Sequence, residues 1–453
     1  MKRDAIDFEH EKVAVLFKKL LLPTLLGTLS ISAVTAIDGI FVGHGTGAEG
    51  VAAINIIVPI YQVMSGIGLM IGMGCSVVAS IHLSRGKAKV SRINISQAMA
   101  ATTLLVLLLC AATFMLPEPI ARWLGASETL LPQVVDYLLW IAPSYIFLMW
   151  TMIGLFVIRL DGSPRYAMWC NIIPALMNVV LDWLFIFPLG LGVKGAAMAT
   201  AICHVAGGIM AMYYLTCKAD QLRLTPLKIS GKSMRLALRN IGYQCRVGSS
   251  SLLGELTMAV LILVGNLTFM HYLGDAGVGA FGIACYYAPF FFMVGNAIAQ
   301  SAQPIISYNY GIERWNEIRK VRRLLLATSA GIGIGVALLF VSLPDLLVML
   351  FVDTDSEAGR IAVDGFPYFA TGIVFFILNI AVIGYYQSIE RIRKALVFVL
   401  LRGFLLLIPS FILLPMCLHD KGIWLAMPVA EAATSLIVLC TFMPWPRLKG
   451  QKR

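Results

Sequence analysis

Apolar stretches of more than 20 residues, repeated twelve times along the chain and almost free of charge, decide what this sequence can fold into. A bilayer core needs about 20 apolar residues per helix, and only helices or closed barrels satisfy their own backbone there. Barrel strands need only about ten residues, so the stretches predict helices. Only 13% of the residues are charged, against about 25% in an ordinary soluble domain. Too little polar material is left to coat a water-exposed surface. The expected spans are 14–43, 51–82, 93–116, 132–159, 166–188 and 194–217, then 241–270, 278–309, 321–344, 361–388, 395–416 and 421–444. The longest exceed a straight crossing, so tilt, kinks or protrusion is expected. Pro23, which has no amide hydrogen to give, is expected to bend the first helix.

Lysine and arginine sort by side. With the amino terminus in the cytoplasm, 30 of the 35 fall in cytoplasmic segments or the adjoining inner ends of spans, 4 in outer loops or the outer ends of spans, and Arg402 lies deeper within a span. This is the positive-inside pattern. It predicts a multi-pass protein of the cell (inner) membrane, in contact with its lipids, with both termini cytoplasmic. The net charge of +11 is spread over loops rather than gathered on one soluble face, so no nucleic-acid partner is expected. No cleavable signal peptide is expected either, because residues 1–12 mix acids and bases and the apolar stretch that follows has no small-residue cleavage site. The nine cysteines form no CxxC pair and read as small buried hydrophobes. His44, His82, His204, His271 and His419 have no metal-ligand spacing, so no metal site is expected. The absence of GxxxxGK[ST], HExxH and an aspartate-rich pair argues against an enzyme.

The chain also repeats itself. Laid against itself at one constant offset, it places Gly50-Val51 on Gly277-Val278, Leu116-Pro117 on Leu343-Pro344, Pro188 on Pro415 and Lys194-Gly195 on Lys421-Gly422. Gly86 pairs with Gly311 at a slightly shorter offset, which a small indel would explain. Six helices per copy is an even number, so the two copies are parallel, related by an axis along the membrane normal. The fold class expected is all-α integral membrane, with twelve transmembrane helices in two parallel six-helix repeats forming two lobes. The expected division is 1–217, a basic cytoplasmic linker 218–240, and 241–453.

Charges inside the bilayer cost about 2.5–3.5 kcal/mol each, and Asp38, Asp182, Glu255, Glu431 and Arg402 are placed within the spans rather than at their ends. Asp38 and Asp182 both lie about 8–9 Å below the outer edge at 1.5 Å per residue. Asn178 is one turn beneath Asp182, and Thr200 reaches the same depth. An oxygen-rich group of this kind suits Na⁺, and two neighbouring carboxylates also suit a shared proton. Packing by hydrogen bonds to neighbouring helices is the alternative. The repeat maps Asp38 to Gly265 and Asp182 to Pro409, so the second copy lacks the group. Glu255 and Glu431, near the middle of their spans, suit a second cation site or contacts to a cationic substrate. Pairing with Arg402 is an equal alternative, and Arg402 itself lies near enough to the inner edge to snorkel.

These residues carry a resemblance. Ile37-Asp38-Gly39-Ile40-Phe41-Val42-Gly43 followed by Ala53-Ile54-Asn55 resembles the first helix and loop of the multidrug and toxic compound extrusion (MATE) family. Asn178-Val179-Val180-Leu181-Asp182-Trp183-Leu184-Phe185-Ile186-Phe187, then Gly192-Val193-Lys194-Gly195-Ala196-Ala197, resembles its fifth helix and the turn into the sixth. Tyr386-Gln387, Arg402, Pro409 and Gly422-Ile423-Trp424-Leu425-Ala426-Met427-Pro428 resemble its last three helices. The resemblance implies a secondary antiporter, linked to antibiotic resistance, that exports cationic lipophilic small molecules by alternating access in exchange for H⁺ or Na⁺. It implies no other cofactor, and a single chain is expected to act as a monomer. It implies that Asp38, Asn178, Asp182 and Thr200 bind the coupling cation and that the bending proline is Pro23. Span 4 departs from some members in containing no asparagine. Glu255 resembles the helix 7 glutamate of members whose coupling site lies in the other lobe. The rival is a lipid-linked oligosaccharide flippase of the same superfamily, which lines its cavity with basic residues.

Overall fold

The computed structural model describes residues 6–228 and 230–442, and the last two residues of the expected span 421–444 lie outside them, as do both chain ends. The described residues are helical throughout, with no strand. The long helices are α1 (Val13–Gly47), α2 (Ala52–Ser84), α3 (Ala88–Met115), α4 (Leu131–Leu160), α5 (Pro164–Ile186) and α6 (Gly192–Lys218). Next come α7 and α8, which share the run Gly231–Gly311 and part at Gly274. The rest are α9 (Trp315–Ser342), α10 (Glu357–Ser388) and α11 and α12, which share Ile392–Thr441 and part at His419. With those two runs each divided at its break, twelve long apolar helices stand among the described residues where twelve spans were expected.

The helices differ from the expected spans mainly at ends that carry charge. α3 begins early, at Ala88, as does α9 at Trp315, and α7 begins earliest of all against expectation, at Gly231. A helix that has left the bilayer no longer needs apolar residues to continue, so hydropathy stops short of it. At α7 the start is set chemically: Ser230 Oγ accepts the amide of Ser233 at 3.2 Å, an N-cap. Two short helices, Pro117–Trp123 and Pro344–Met349, each open on a proline, whose missing amide costs nothing at that position. Pro23 sits inside α1, whose backbone dihedrals stay helical through it, and the break comes at Gly47.

The backbone carries the duplication more sharply than the side chains. Left-handed φ occurs at Gly47 and Gly274, at Gly86 and Glu313, and at Gly192 and His419, each pair separated by the offset of the repeat. The turn at Gly86 is closed by Gly86 N to Leu83 O and Lys87 N to His82 O; Glu313 N to Tyr310 O and Arg314 N to Asn309 O repeat it. This corrects the pairing of Gly86 with Gly311. The equivalent of Gly86 is Glu313, no indel is needed, and the residue type changed while the conformation stayed.

By compactness the described chain divides into two units. The first comprises Met1–Leu256, Asn296–Leu325 and Gly384–Ile392; the second comprises Thr257–Gly295, Leu326–Ile383 and Arg393–Arg453. In the first, Val134, Leu138, Ile141 and Tyr145 of α4 bury against α2 and α6. In the second, aromatic rings make the core: Phe291 meets Phe340 at 5.4 Å and Phe366 meets Trp424 at 6.2 Å. Offset and edge-on ring pairs of this kind add about 0.5–1.5 kcal/mol beyond their buried area.

Candidate cation and cargo cavity

The four residues proposed for the first half converge. Asp38 comes from α1, Asn178 and Asp182 from α5 and Thr200 from α6. Asp38, Asn178 and Thr200 line one cavity, and Asp182 stands close to Asp38 beside it. Asp182 is fully buried. Asp38 Oδ1, both Asp182 oxygens and Asn178 Nδ2 are buried and have no hydrogen-bond partner among the described residues. Buried polar atoms are almost always satisfied, so several orphans at one point are not accounted for by packing alone.

The cavity encloses about 250 Å³ inside the first unit. Pro174, Cys203, His204, Thr151 and Asn171 also line it, and no lysine or arginine among the described residues does. Its wall is otherwise aliphatic and aromatic, the make-up of a small-molecule site. Pro174 removes an amide from the middle of α5 one turn from Asn178, on the side that faces the cavity.

Sequence reasoning missed four residues here. Tyr137 of α4 places its hydroxyl against Thr200 and near both aspartates, so a phenol stands at the level where an α4 asparagine was looked for. Tyr61, Tyr145 and His204 form a second polar group in the same cavity. One signal was available: Tyr137, Ile141, Tyr145 and Leu148 follow each other at helical spacing, a single face of α4 with two phenols on it.

The other intramembrane charges are placed differently. Glu431 is in the second unit, 2% exposed, and Arg402 closes on it with Nη2–Oε1 at 2.6 Å and Nε–Oε1 at 3.0 Å. Asn379 Nδ2 donates to Glu431 Oε2 at 2.7 Å, Ser435 Oγ donates to Asn379 Oδ1 at 2.8 Å, and the guanidinium lies 4.4 Å from the Phe376 ring centre. Of the alternatives for Glu431, the pairing with Arg402 is the one present. Arg402 does not snorkel: it is 3% exposed, within the wide turn Leu401–Leu405 that turns it inward. Glu255 belongs to the first unit, beside Gly66, with Oε1 buried and unpartnered among the described residues. It does not line the cavity that holds Asp38. No cluster of histidine, cysteine and carboxylate suited to a metal occurs among the described residues.

Two stretches of the chain, residues 23–184 and 251–412, each match the MatE family. The chain belongs to the MatE family. The two matches begin almost one repeat offset apart, so the family unit occurs once in each half, as the backbone repeat requires. A MatE protein is a membrane transporter and not an enzyme, and the fold is that of two six-helix repeats forming two lobes. Among relatives, the FAD transporter of Shewanella oneidensis is 26% identical over 90% of both chains. The multidrug export protein MepA of Staphylococcus aureus is 24% identical over 95% of this chain and 94% of its own. A multidrug resistance MATE family transporter of the MOP superfamily, solved in an outward-facing conformation, superposes with a TM-score of 0.89. It is 18% identical and covers 96% of this chain and 97% of its own.

Proposed function

We propose that this MatE protein is a secondary active multidrug exporter, which moves cationic amphipathic compounds out of the cell in exchange for H⁺ or Na⁺. The observation that carries the reading is the cavity: two facing carboxylates, orphaned polar atoms, apolar walls and no basic residue among the described lining. A cation entering it meets negative charge and aromatic faces, both of which attract it. Asp38, Asn178, Asp182 and Thr200 then bind the coupling ion. An ion or proton on the carboxylates removes the charge that holds the cargo, so the two bind in alternation. Exchange follows when the lobe arrangements differ in affinity for the ion. Every group needed comes from one chain, which supports a monomer as the working unit. The 30-to-4 charge split supports the cell membrane with both termini cytoplasmic.

The FAD-transporting relative raises an anionic cargo, and the flippase rival another. Both would need cationic groups in the binding cavity. Arg402, buried within a span, is committed to Glu431, which favours the cationic reading. Everted membrane vesicles loaded through an imposed proton gradient, and then an imposed sodium gradient, test it with ethidium. Gradient-dependent accumulation under one of them is expected. Accumulation under neither, with movement of an anionic dinucleotide instead, would replace the reading.

A further inference from the structure

In the same cavity, one helical turn along α6 from Thr200, His204 is held in one orientation. Ser144 Oγ lies 2.7 Å from the Ile141 carbonyl and 2.9 Å from His204 Nδ1. A serine hydroxyl has one hydrogen, and the carbonyl can only accept, so Ser144 gives its hydrogen to Ile141. Its oxygen must then accept from His204, which puts the ring hydrogen on Nδ1 and leaves Nε2 with a bare lone pair. No group among the described residues bonds Nε2. The ring lines the cavity beside Tyr61 and Tyr145, each with its centre 6.3 Å away. Ser144 is buried behind the wall, so the histidine is anchored from outside and offers its free edge inward. A histidine serving only to pack would have both nitrogens satisfied.

The carboxylates also accept hydrogen bonds, but they are the seat of the coupling ion. The cavity is left with a neutral acceptor set between two phenol rings. We infer that His204 is a specificity-determining residue, which accepts an N–H from the aromatic amine or amide of a planar cationic cargo. This rests on the export reading above and adds a rank order among cargoes. A site built around a hydrogen bond discriminates strongly against a ligand that lacks the donor.

Two cations separate this role from a structural one. Ethidium carries aromatic amino groups, and tetraphenylphosphonium carries no N–H at all. KM and maximal rate for each are to be measured in proteoliposomes of the full chain. His204→Phe, which keeps a ring and removes both nitrogens, is expected to raise KM for ethidium about tenfold. KM for tetraphenylphosphonium should stay within about twofold, and that cargo doubles as the control for folding. His204→Gln, which restores an acceptor, should recover most of the ethidium affinity. Equal losses for both cargoes, or no change for either, would overturn the assignment. If the unaltered protein moves neither cation, the export reading itself has failed, which is a separate result.

Discussion

Around Asp38 the nearby positions carry Val42, Ile54 and Ala197, and at the equivalent positions of the second copy stand Phe269, Phe281 and Trp424. In the second half those rings close on one another: Phe269 lies 4.5 Å from Phe281 and 4.9 Å from Trp424, and Phe411 joins at 6.4 Å. Gly265, the counterpart of Asp38, has no room for a side chain, since even a Cβ would run into the Phe281 ring. Deeper in, His204 faces the first-half cavity, while its counterpart Glu431 is clamped by Arg402 and Asn379. One duplicated backbone thus holds an open site in one copy and a packed, neutralised core in the other. A buried acid reads as functional or structural by what surrounds it, and burial by itself does not separate the two.

The comparison can be broken at several points, in falling order of effect. Asp182→Asn should cut gradient-driven ethidium efflux on the order of 100-fold at equal membrane abundance, as expected when the ion no longer distinguishes two states. Efflux above a tenth of normal would show that the open site is not the coupling site. Glu431→Gln strands Arg402 and should cost about 3–5 kcal/mol of stability, read as a fall in melting temperature in detergent. The double replacement Arg402→Met with Glu431→Met should recover much of it, with transport per folded molecule unchanged. If the single change alters efflux but not melting, Glu431 works in transport after all. Ile54→Phe copies the second-half residue into the first. It should fill part of the cavity and lower efflux about tenfold at a cost of about 1–3 kcal/mol from overpacking; full activity would mean cargo binds elsewhere.

The smallest effect is expected outside the membrane. His10 Nδ1 lies 2.8 Å from Asp7 Oδ2. That hydrogen bond holds the His10 ring above its ordinary pKa, while the Glu9 amide, first, and His10, second, hold Asp7 below its own. For a raised histidine the stabilisation is present below its unfolded value and lost as pH rises through the folded one; for the depressed Asp7 it is lost as pH falls through the folded value. Both groups are exposed and screened. His10→Gln should therefore match the unaltered protein within about twofold at pH values from about 6 to about 8.

Much of this was legible in the chain. Apolar length gave the helices, and depth along α1, α5 and α6 brought Asp38, Asn178, Asp182 and Thr200 to one level before any coordinates. Helix ends such as Gly231 were not legible, because hydropathy falls silent once the helix leaves the bilayer. The conformation shared by Gly86 and Glu313 escaped because identity matching sees residue types and the repeat is kept in φ. Tyr137 and His204 were passed over because a tyrosine or a lone histidine in an apolar span usually packs. Only the aspartates near Tyr137 and the position of Ser144 beside His204 show otherwise.

The most direct measurement sets two acids of the first unit against each other, Asp38, which lines the cavity, and Glu255, which does not. Asp38→Asn and Glu255→Gln are expressed to matched membrane levels, and ethidium efflux is followed under an imposed ion gradient. The account predicts that Asp38→Asn inserts and does not pump, while Glu255→Gln keeps at least about half of normal efflux. Normal pumping by Asp38→Asn together with a dead Glu255→Gln would contradict it and place coupling at Glu255 instead of the Asp38–Asp182 pair.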